Sequence, residues 1–425
     1  MSISQAEGSR VSAPDGLWSV AAAQDACRAA AASNAFIGFP TPADGGRFPF
    51  ALKDMVEVAG HAPTFGLDPA PGAPATTTAP VVRQLEVAGG RLVAFTQMTP
   101  LAFDPSGANR WRGRPLNPWN AERVCGGSSS GSAVAVALGA VPLALGSDTA
   151  GSLRIPAHCC GVSSWKPTRG LIPLDGAMPL APSLDTLGFL GRDADWLEVA
   201  ATIFAPTPQA GGCRIGVALD LLAECDAGIT SAFGAAQEAL EDLGFHLTET
   251  ALAPLMAATG TPVLELLLGE SARALAGIAA AEQDVLFATR LAKGRAMPDA
   301  QLQGLRADLA ASLPLARALF EAHDAILLPA MPCVTPSVAA CDPDRPGFSG
   351  RTLYRLSAFT RLASGLGLPV VTLPIGTDEN AMPVGAQLLG RRGSDRALIA
   401  LARTIQAGTP WHTARPASSF KESIA

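Results

Sequence analysis

Gly126-Gly127-Ser128-Ser129-Ser130-Gly131-Ser132, followed by Asp148-Thr149-Ala150-Gly151-Ser152-Leu153-Arg154-Ile155-Pro156, decides how this chain is read. The two serine–glycine clusters lie 24 positions apart, counted from Ser128 to Ser152, and mostly small apolar residues separate them. Hydroxyls and bare backbone N–H groups are thus concentrated where a chain would otherwise be building core. Acyl transfer needs both: a hydroxyl to attack a carbonyl and N–H donors to hold the oxyanion. Ser130 to Leu138 reads as a helix of small residues whose N-terminus turns N–H groups towards the Ser/Gly loop. Val141 to Leu145 reads as a buried strand running into the Ser152 turn, which sets Ser152 at a crevice as α/β sites prefer.

Histidine is the usual base for such a hydroxyl, and it is scarce. His61, His158, His246, His323 and His412 are the only five, and none has a recognisable catalytic setting; His158 reads as a packed histidine. Lysine is the better candidate. Phe48-Pro49-Phe50-Ala51-Leu52-Lys53-Asp54 reads as a short buried strand with Lys53 at its end. Apolar surroundings disfavour the charged form of a lysine, so Lys53 is suited to take a proton from a serine.

These pieces together resemble the amidase signature family of serine hydrolases, whose pattern is a "KD" strand end, then GGSSGGS, then DTGGSxRxP, in that order. The resemblance implies a Ser–cis-Ser–Lys set, with Ser152 as nucleophile, Ser128 as the bridging serine beside a cis peptide bond, and Lys53 as base. It implies that Lys53 deprotonates Ser128, which relays the proton from Ser152. It also implies an oxyanion hole of N–H groups from Thr149, Ala150, Gly151 and Ser152. Trp165-Lys166-Pro167-Thr168-Arg169-Gly170 is similar to the family's LKPTxG stretch, and Ser183-Leu184-Asp185-Thr186 to its SLDTxG stretch. Pro383-Val384-Gly385-Ala386-Gln387-Leu388-Leu389-Gly390 resembles its late strand. The matching blocks run from about 45 to 195 and 320 to 405. Asp148 and Arg154 flank Ser152 as a supporting pair, and Ser129 is placed to hydrogen-bond around the relay.

Departures from the pattern are few. Ala150 stands where the family usually has glycine, and a positive φ there would be strained. Ser130 replaces another common glycine. Thr96-Gln97-Met98-Thr99-Pro100-Leu101-Ala102 lacks the acidic pair of the family's TNMDEFA stretch. Two competing motifs are weaker. Gly127-Ser128-Ser129-Ser130-Gly131 fits the G-x-S-x-G elbow with Ser129 as nucleophile, but no HGGG-type partner accompanies it. Ser163-Ser164-Trp165-Lys166 fits S-x-x-K without the SDN or KTG that should follow.

Composition narrows the function classes. With 48% hydrophobic and 16% charged residues, the 425-residue chain has ample core and little disordered tail. A net charge of −6 offers no basic footprint for nucleic acid. Met1 to Glu7 lacks the positive start of a secretory signal. The charge-free run from Val124 to Ser147 holds about 15 apolar-leaning residues, against the roughly 20 that span a bilayer. Eight cysteines without a CxxC pair read as reduced, mostly buried thiols of a cytoplasmic protein. Neither metal nor organic cofactor is expected; the partner expected is a small-molecule substrate, and a homodimer is left open.

Elements alternate along the chain: helices at Trp18–Ala32 and Pro80–Val87, strands at Arg91–Thr96, Arg214–Ala218 and Phe245–Thr248, and a helix at Ile229–Leu243. Leu264–Ala292 and Ala300–His323 read as long helices, the second kinked at Pro314. Ala325–Leu328, Val370–Ile375 and Val384–Leu389 read as strands, and Thr352–Ser364 and Asp395–Ala407 as helices. The expectation is one α/β domain over 1–425 with a central mixed β-sheet flanked by helices, as in the amidase signature fold. About 205–320 is read as a variable region shaping the substrate cleft. Trp111 and Trp119 are placed either at its mouth or in packing. The length and short N-terminal arm resemble compact members such as the indole-3-acetamide hydrolases, which implies small primary or aryl amides, with esters and carbamates open to the same machinery. The alternatives are a glutaminase-type subunit of an amidotransferase and a catalytically idle binding protein.

Overall fold

Alternation along the strand that ends at Lys53 decides what faces what. Phe48, Phe50 and Leu52 enter one hydrophobic cluster while Ala51 enters another, so the two faces of this strand meet different cores. Lys53 shares the parity of Ala51 and so lies on the face covered by small residues, among them Ala133 to Ala137. A helix of Ala, Val, Gly and Ser packs close to the sheet and leaves width for a lysine chain.

The computed structural model describes residues 18–41, 45–207, 214–278 and 285–417. Its strands are β1 (Phe36–Gly38), β2 (Phe48–Lys53), β3 (Gly90–Thr96), β4 (Leu143–Asp148), β5 (Ser163–Lys166) and β6 (Thr186–Gly191), then β7 (Arg214–Val217), β8 (His246–Glu249), β9 (Ala325–Pro329), β10 (Val370–Thr377) and β11 (Pro383–Leu389). All join one 11-stranded sheet in the order β1-β3-β2-β4-β6-β5-β10-β11-β9-β7-β8. β3, β2 and β4 run parallel, as do β9, β7 and β8; the neighbours between β4 and β9 are antiparallel. The fold is α/β with a mixed sheet, as expected. Every residue of β2, β4, β5, β6, β9 and β11 is buried, because helices cover both faces. Parallel pairing of Ala51 with Ala144 and Leu52 with Leu145 brings the carboxyl ends of β2 and β4 to one edge. Lys53 and the Ser152 turn meet there.

Several expected elements take a different form. Thr352–Ser364 is two helices, Gly350–Leu356 and Arg361–Leu366. Between them, the Phe359 carbonyl accepts from Gln387 Nε2 (3.0 Å) and the Thr360 carbonyl from Arg154 Nη1 (2.7 Å), so side chains from distant segments claim the backbone of the break. The expected kink at Pro314 is a division at Ser312, with Pro314 in the first turn of the helix Leu313–Ala322, where a missing N–H costs nothing. The helix expected from Leu264 begins at Ala253 and runs through Pro262 to Ala274; a second covers Val285–Arg295, and 279–284 lie outside the described residues. β5, β6 and the helices Arg154–Cys160 and Ala194–Phe204 were not anticipated. The Met1–Glu7 reading and Cys213 also fall outside the described residues, within which the other seven cysteines are free and six of them buried. No helix among the described residues is long and apolar enough to cross a membrane.

Close approach of the small-residue helix to its neighbours makes a sharp prediction at Gly131. A Cβ there would collide with the Ala35 carbonyl and stand 2.6 and 2.7 Å from Gln97 N and O. Alanine ordinarily favours a helix interior over glycine by about 1 kcal/mol. Overpacking reverses that sign here, and Gly131→Ala is expected to lower the unfolding free energy in urea by about 1–3 kcal/mol.

Candidate active site

The lysine expected as base lies at the centre of the site. Lys53 Nζ is 2.7 Å from Ser128 Oγ and 2.8 Å from Ser147 Oγ, and Lys53 and Ser128 are wholly buried. Burial pulls its pKa from 10.5 down to about 7, against the opposing pull of the Asp148 and Asp185 carboxylates. Lys53 therefore exchanges its proton near neutrality, while keeping hydroxyls on two sides. The peptide bond Gly127–Ser128 is cis, which places the cis bond expected at Ser128 on its N-terminal side.

Ser129 ties the two serine loops together. Its N–H donates to the Ser152 carbonyl (3.2 Å), its hydroxyl donates to the Ser147 carbonyl (3.2 Å), and Ser147 N–H donates back to that hydroxyl (3.3 Å). Ser152 follows in a turn held from inside by Asp148. That carboxylate accepts from Gly151 N–H at 2.8 Å and Leu153 N–H at 3.1 Å. Arg154 closes the pair with Nε to Oδ2 at 3.0 Å and Nη2 to Oδ1 at 2.8 Å. Both side chains are fully enclosed. Burial alone would raise the Asp148 pKa, but the charge and hydrogen bonds of Arg154, with Lys166 nearby, hold it below its usual value. Arg154 also donates to the Thr360 carbonyl, Gln387 Oε1 and Ser364 Oγ, which fixes the turn to the helix Arg361–Leu366 and to β11.

The oxyanion donors need one correction. Gly151, expected among them, spends its N–H on Asp148, whereas the amides of Thr149, Ala150 and Ser152 have no hydrogen-bond acceptor among the described residues. The strain feared at Ala150 does not arise either: positive φ falls one residue later, at Gly151 (φ 136°), where a Cβ would also strike Thr360 Oγ1. Thr149 is steadied by its hydroxyl, which donates to Asp185 Oδ1 at 2.7 Å, and Asp185 Oδ2 in turn accepts from Leu180 and Ala181 N–H. Burial raises the Asp185 pKa.

Ser152 is partly exposed, its hydroxyl has no hydrogen-bond partner among the described residues, and it lines a cavity of ≈ 370 Å³. Ala102, Phe103, Ile155, Leu180, Leu264 and Leu268 supply apolar wall, with Thr149 and Ala150 beside the serine. Trp111 lines a neighbouring space of ≈ 80 Å³, and Trp119 donates to the Cys160 carbonyl and packs. His158 is buried with Nδ1 accepting from Gly385 N–H, and burial drops its pKa to about 4. It is a packed residue, as expected. Sequence reasoning missed Ser147 as the second lysine partner; the signal was a lone hydroxyl in the run Leu143-Ala144-Leu145-Gly146-Ser147. It also missed Thr360, Ser364 and Gln387, whose link to Arg154 has no local signature.

A buried, easily deprotonated lysine on a serine pair, next to a partly exposed serine and unclaimed N–H groups, is equipment for acyl transfer. The family model described as Amidase matches residues 13–206 and 198–399. Mandelamide hydrolase of Pseudomonas putida is 30% identical over 414 residues, covering 87% of this chain and 79% of that protein. Indoleacetamide hydrolase of Pseudomonas syringae pv. syringae is 30% identical over 384 residues, covering 84% of each. A glutamyl-tRNA(Gln) amidotransferase subunit of Symbiobacterium thermophilum is 31% identical over 418 residues, covering 87% of this chain and 84% of that one. A solved structure described as an amidase superposes with a TM-score of 0.82 and 29% identity, covering 91% of this chain and 95% of the other. The chain belongs to the amidase family and is a hydrolase of carbon–nitrogen amide bonds.

The enclosed Asp148–Arg154 pair yields the prediction here. Arg154→Leu leaves an uncompensated carboxylate in the core, and the unfolding free energy in urea is expected to fall by about 3–5 kcal/mol. Arg154→Lys is expected to recover only part of that, since one ammonium cannot reproduce a planar fork reaching five acceptors in four residues.

Proposed function

We propose that the chain hydrolyses small carboxylic amides, arylacetamides among them, through a Ser152 acyl-enzyme and a Ser152–Ser128–Lys53 proton relay. The observation that carries this reading is the 2.7 Å approach of Lys53 Nζ to Ser128 Oγ, with both side chains wholly buried. Neutral Lys53 takes the Ser128 proton as Ser128 takes that of Ser152, whose oxygen bonds to the amide carbon. The oxyanion forms against the N–H groups of Thr149, Ala150 and Ser152, each worth about 3 kcal/mol by comparison with other hydrolases. Ser128 then protonates the leaving nitrogen and is recharged from Lys53. The C–N bond breaks, amine or ammonia departs, and water cleaves the acyl-enzyme by the same relay run again.

The apolar wall supports an aryl or short alkyl acyl group, in line with the names of the mandelamide and indoleacetamide relatives. One domain spans the chain in this reading, and its 205–320 region shapes the cleft; Leu264, Leu267, Leu268, Arg290 and Lys293 of that region line the cavity with Ser152. The seven described cysteines, all free thiols, fit a cytoplasmic enzyme acting alone or as a homodimer. The relatedness to an amidotransferase component favours one second reading, a glutaminase subunit with obligate partner chains. Purification of the tagged chain from its native extract separates the two: stoichiometric partner chains support the glutaminase reading, and activity without them supports the hydrolase.

Steady-state assays on a panel of arylacetamides test the relay. Ser152→Ala is expected to lower kcat by roughly 10⁴-fold or more, and Lys53→Ala to do likewise. The wild-type kcat/KM should rise with pH to a plateau through an apparent pKa near 7, because only neutral Lys53 accepts the proton. Buried Lys166, also lowered to about 7 but bonded to the Pro167 carbonyl, is the control: Lys166→Met should keep the acid limb. Full activity in Ser152→Ala would remove the mechanism.

A further inference from the structure

The cavity on Ser152 carries a charge that amide hydrolysis itself does not use. Three cations line it, Arg290, Lys293 and Arg361, and none of the described residues that line it is Asp or Glu. Arg361 is the deepest set, only 2% exposed. Its Nε and Nη2 donate to Ser357 Oγ at 3.1 and 2.9 Å, Nη2 donates to the Tyr354 carbonyl at 2.5 Å, and the guanidinium lies 4.0 Å from the Tyr354 ring centre. Every one of these partners is neutral, and Nη1 has none among the described residues. A buried guanidinium is normally matched by a carboxylate, since an unpaired buried charge is costly.

The other two cations sit three residues apart on the helix Val285–Arg295 and so share a face. Arg290 lies over the Phe103 ring, 5.5 Å from its centre, and Lys293 is exposed. The acid closest in kind is Asp104, which lines the ≈ 80 Å³ space that Arg290 also borders and whose carboxylate already accepts from Ser106 N–H and Oγ. Between the cations and Ser152 the wall is apolar: Ile155, Leu180, Leu264 and Leu268. A cavity of about 150 Å³ takes a benzene ring, so ≈ 370 Å³ suits a ring or short chain with a group at each end.

We infer that the substrate is an amide that also carries a carboxylate, held by Arg361 with Arg290 and Lys293 while the carboxamide reaches Ser152. This rests on the amide-hydrolase reading above and adds the second functional group. A neutral amide would leave Arg361 with neutral partners only among the described residues, and that difference is what makes the site selective.

The test compares 4-carboxyphenylacetamide with 4-methylphenylacetamide, which share ring and scissile bond, by ammonia release from the full chain. The carboxylate is expected to have a kcat/KM higher by about tenfold or more, corresponding to one ion-paired contact. Lys293→Gln, Arg290→Gln and Arg361→Gln should each raise KM for it severalfold or more and lower the ratio of its kcat/KM to that of the neutral amide. Because Lys293 is exposed, its variant reads out even if loss of Arg361 impairs folding. Equal or better use of the neutral amide, or equal losses on both substrates in Lys293→Gln, would overturn the inference and leave the hydrolase reading standing. Ammonia from neither amide would also overturn it, and failure of a fluorophosphonate to label Ser152 in the same sample would show that the hydrolase reading has fallen with it.

Discussion

Enclosing a lysine next to two serines is the constraint on which the rest of this structure depends. A fully buried ammonium costs several kcal/mol even after the surroundings relax. Lys53 avoids most of that cost near neutral pH by giving up its proton, its pKa lowered to about 7. The folded state binds that proton more weakly than the unfolded chain, whose lysine keeps its usual 10.5. As pH falls from 10.5 towards 7, the unfolded chain is protonated first, and stability drops by about 1.4 kcal/mol per unit. The reward is chemical: a base strong enough to take a serine proton and already uncharged where the reaction runs.

Such a base is useful only if its serines hold still, and the chain invests long-range structure in that. Parallel pairing of β2 with β4 sets Lys53 against Ser147. Ser129 then straps the cis-linked loop to the Ser152 turn. Beneath the turn, Arg154 gathers Asp148, Thr360, Ser364 and Gln387, so residues more than 200 positions apart share one enclosed guanidinium. A helix running unbroken from Thr352 to Ser364 would withhold the carbonyls that Arg154 and Gln387 take. The break is a consequence of the site.

The site was more legible in the sequence than the architecture around it. Lys53, Ser128 and Ser152 stand in short runs whose residue types are unusual for core, and the same runs resemble a family pattern in order. β2, the helix Pro80–Val87 and β10 with β11 follow apolar runs bounded by Gly and Pro, which local reasoning handles well. β5 escaped because it has only four residues, and β6 because glycine at 188 and 191 removes the alternation that marks a strand. Gly151 is placed in the oxyanion hole by the family resemblance, which covers the whole turn from Thr149 to Ser152. Only the folded turn shows its N–H turned inward to Asp148. Arg361 and the partners of Arg154 lay beyond reach for the same reason: side chains brought together by a sheet order that no local pattern encodes.

Direct titration of Lys53 tests the central claim most closely. The chain has only four lysines, Lys53, Lys166, Lys293 and Lys421, so ¹⁵N-lysine labelling gives a spectrum simple enough to assign with Lys53→Met. The account predicts a Lys53 side-chain resonance that titrates near pH 7 in wild type, with the amine neutral on the alkaline side. A Lys53 that stays protonated up to pH 10 would contradict it, because the serine pair would then face an acid in place of a base.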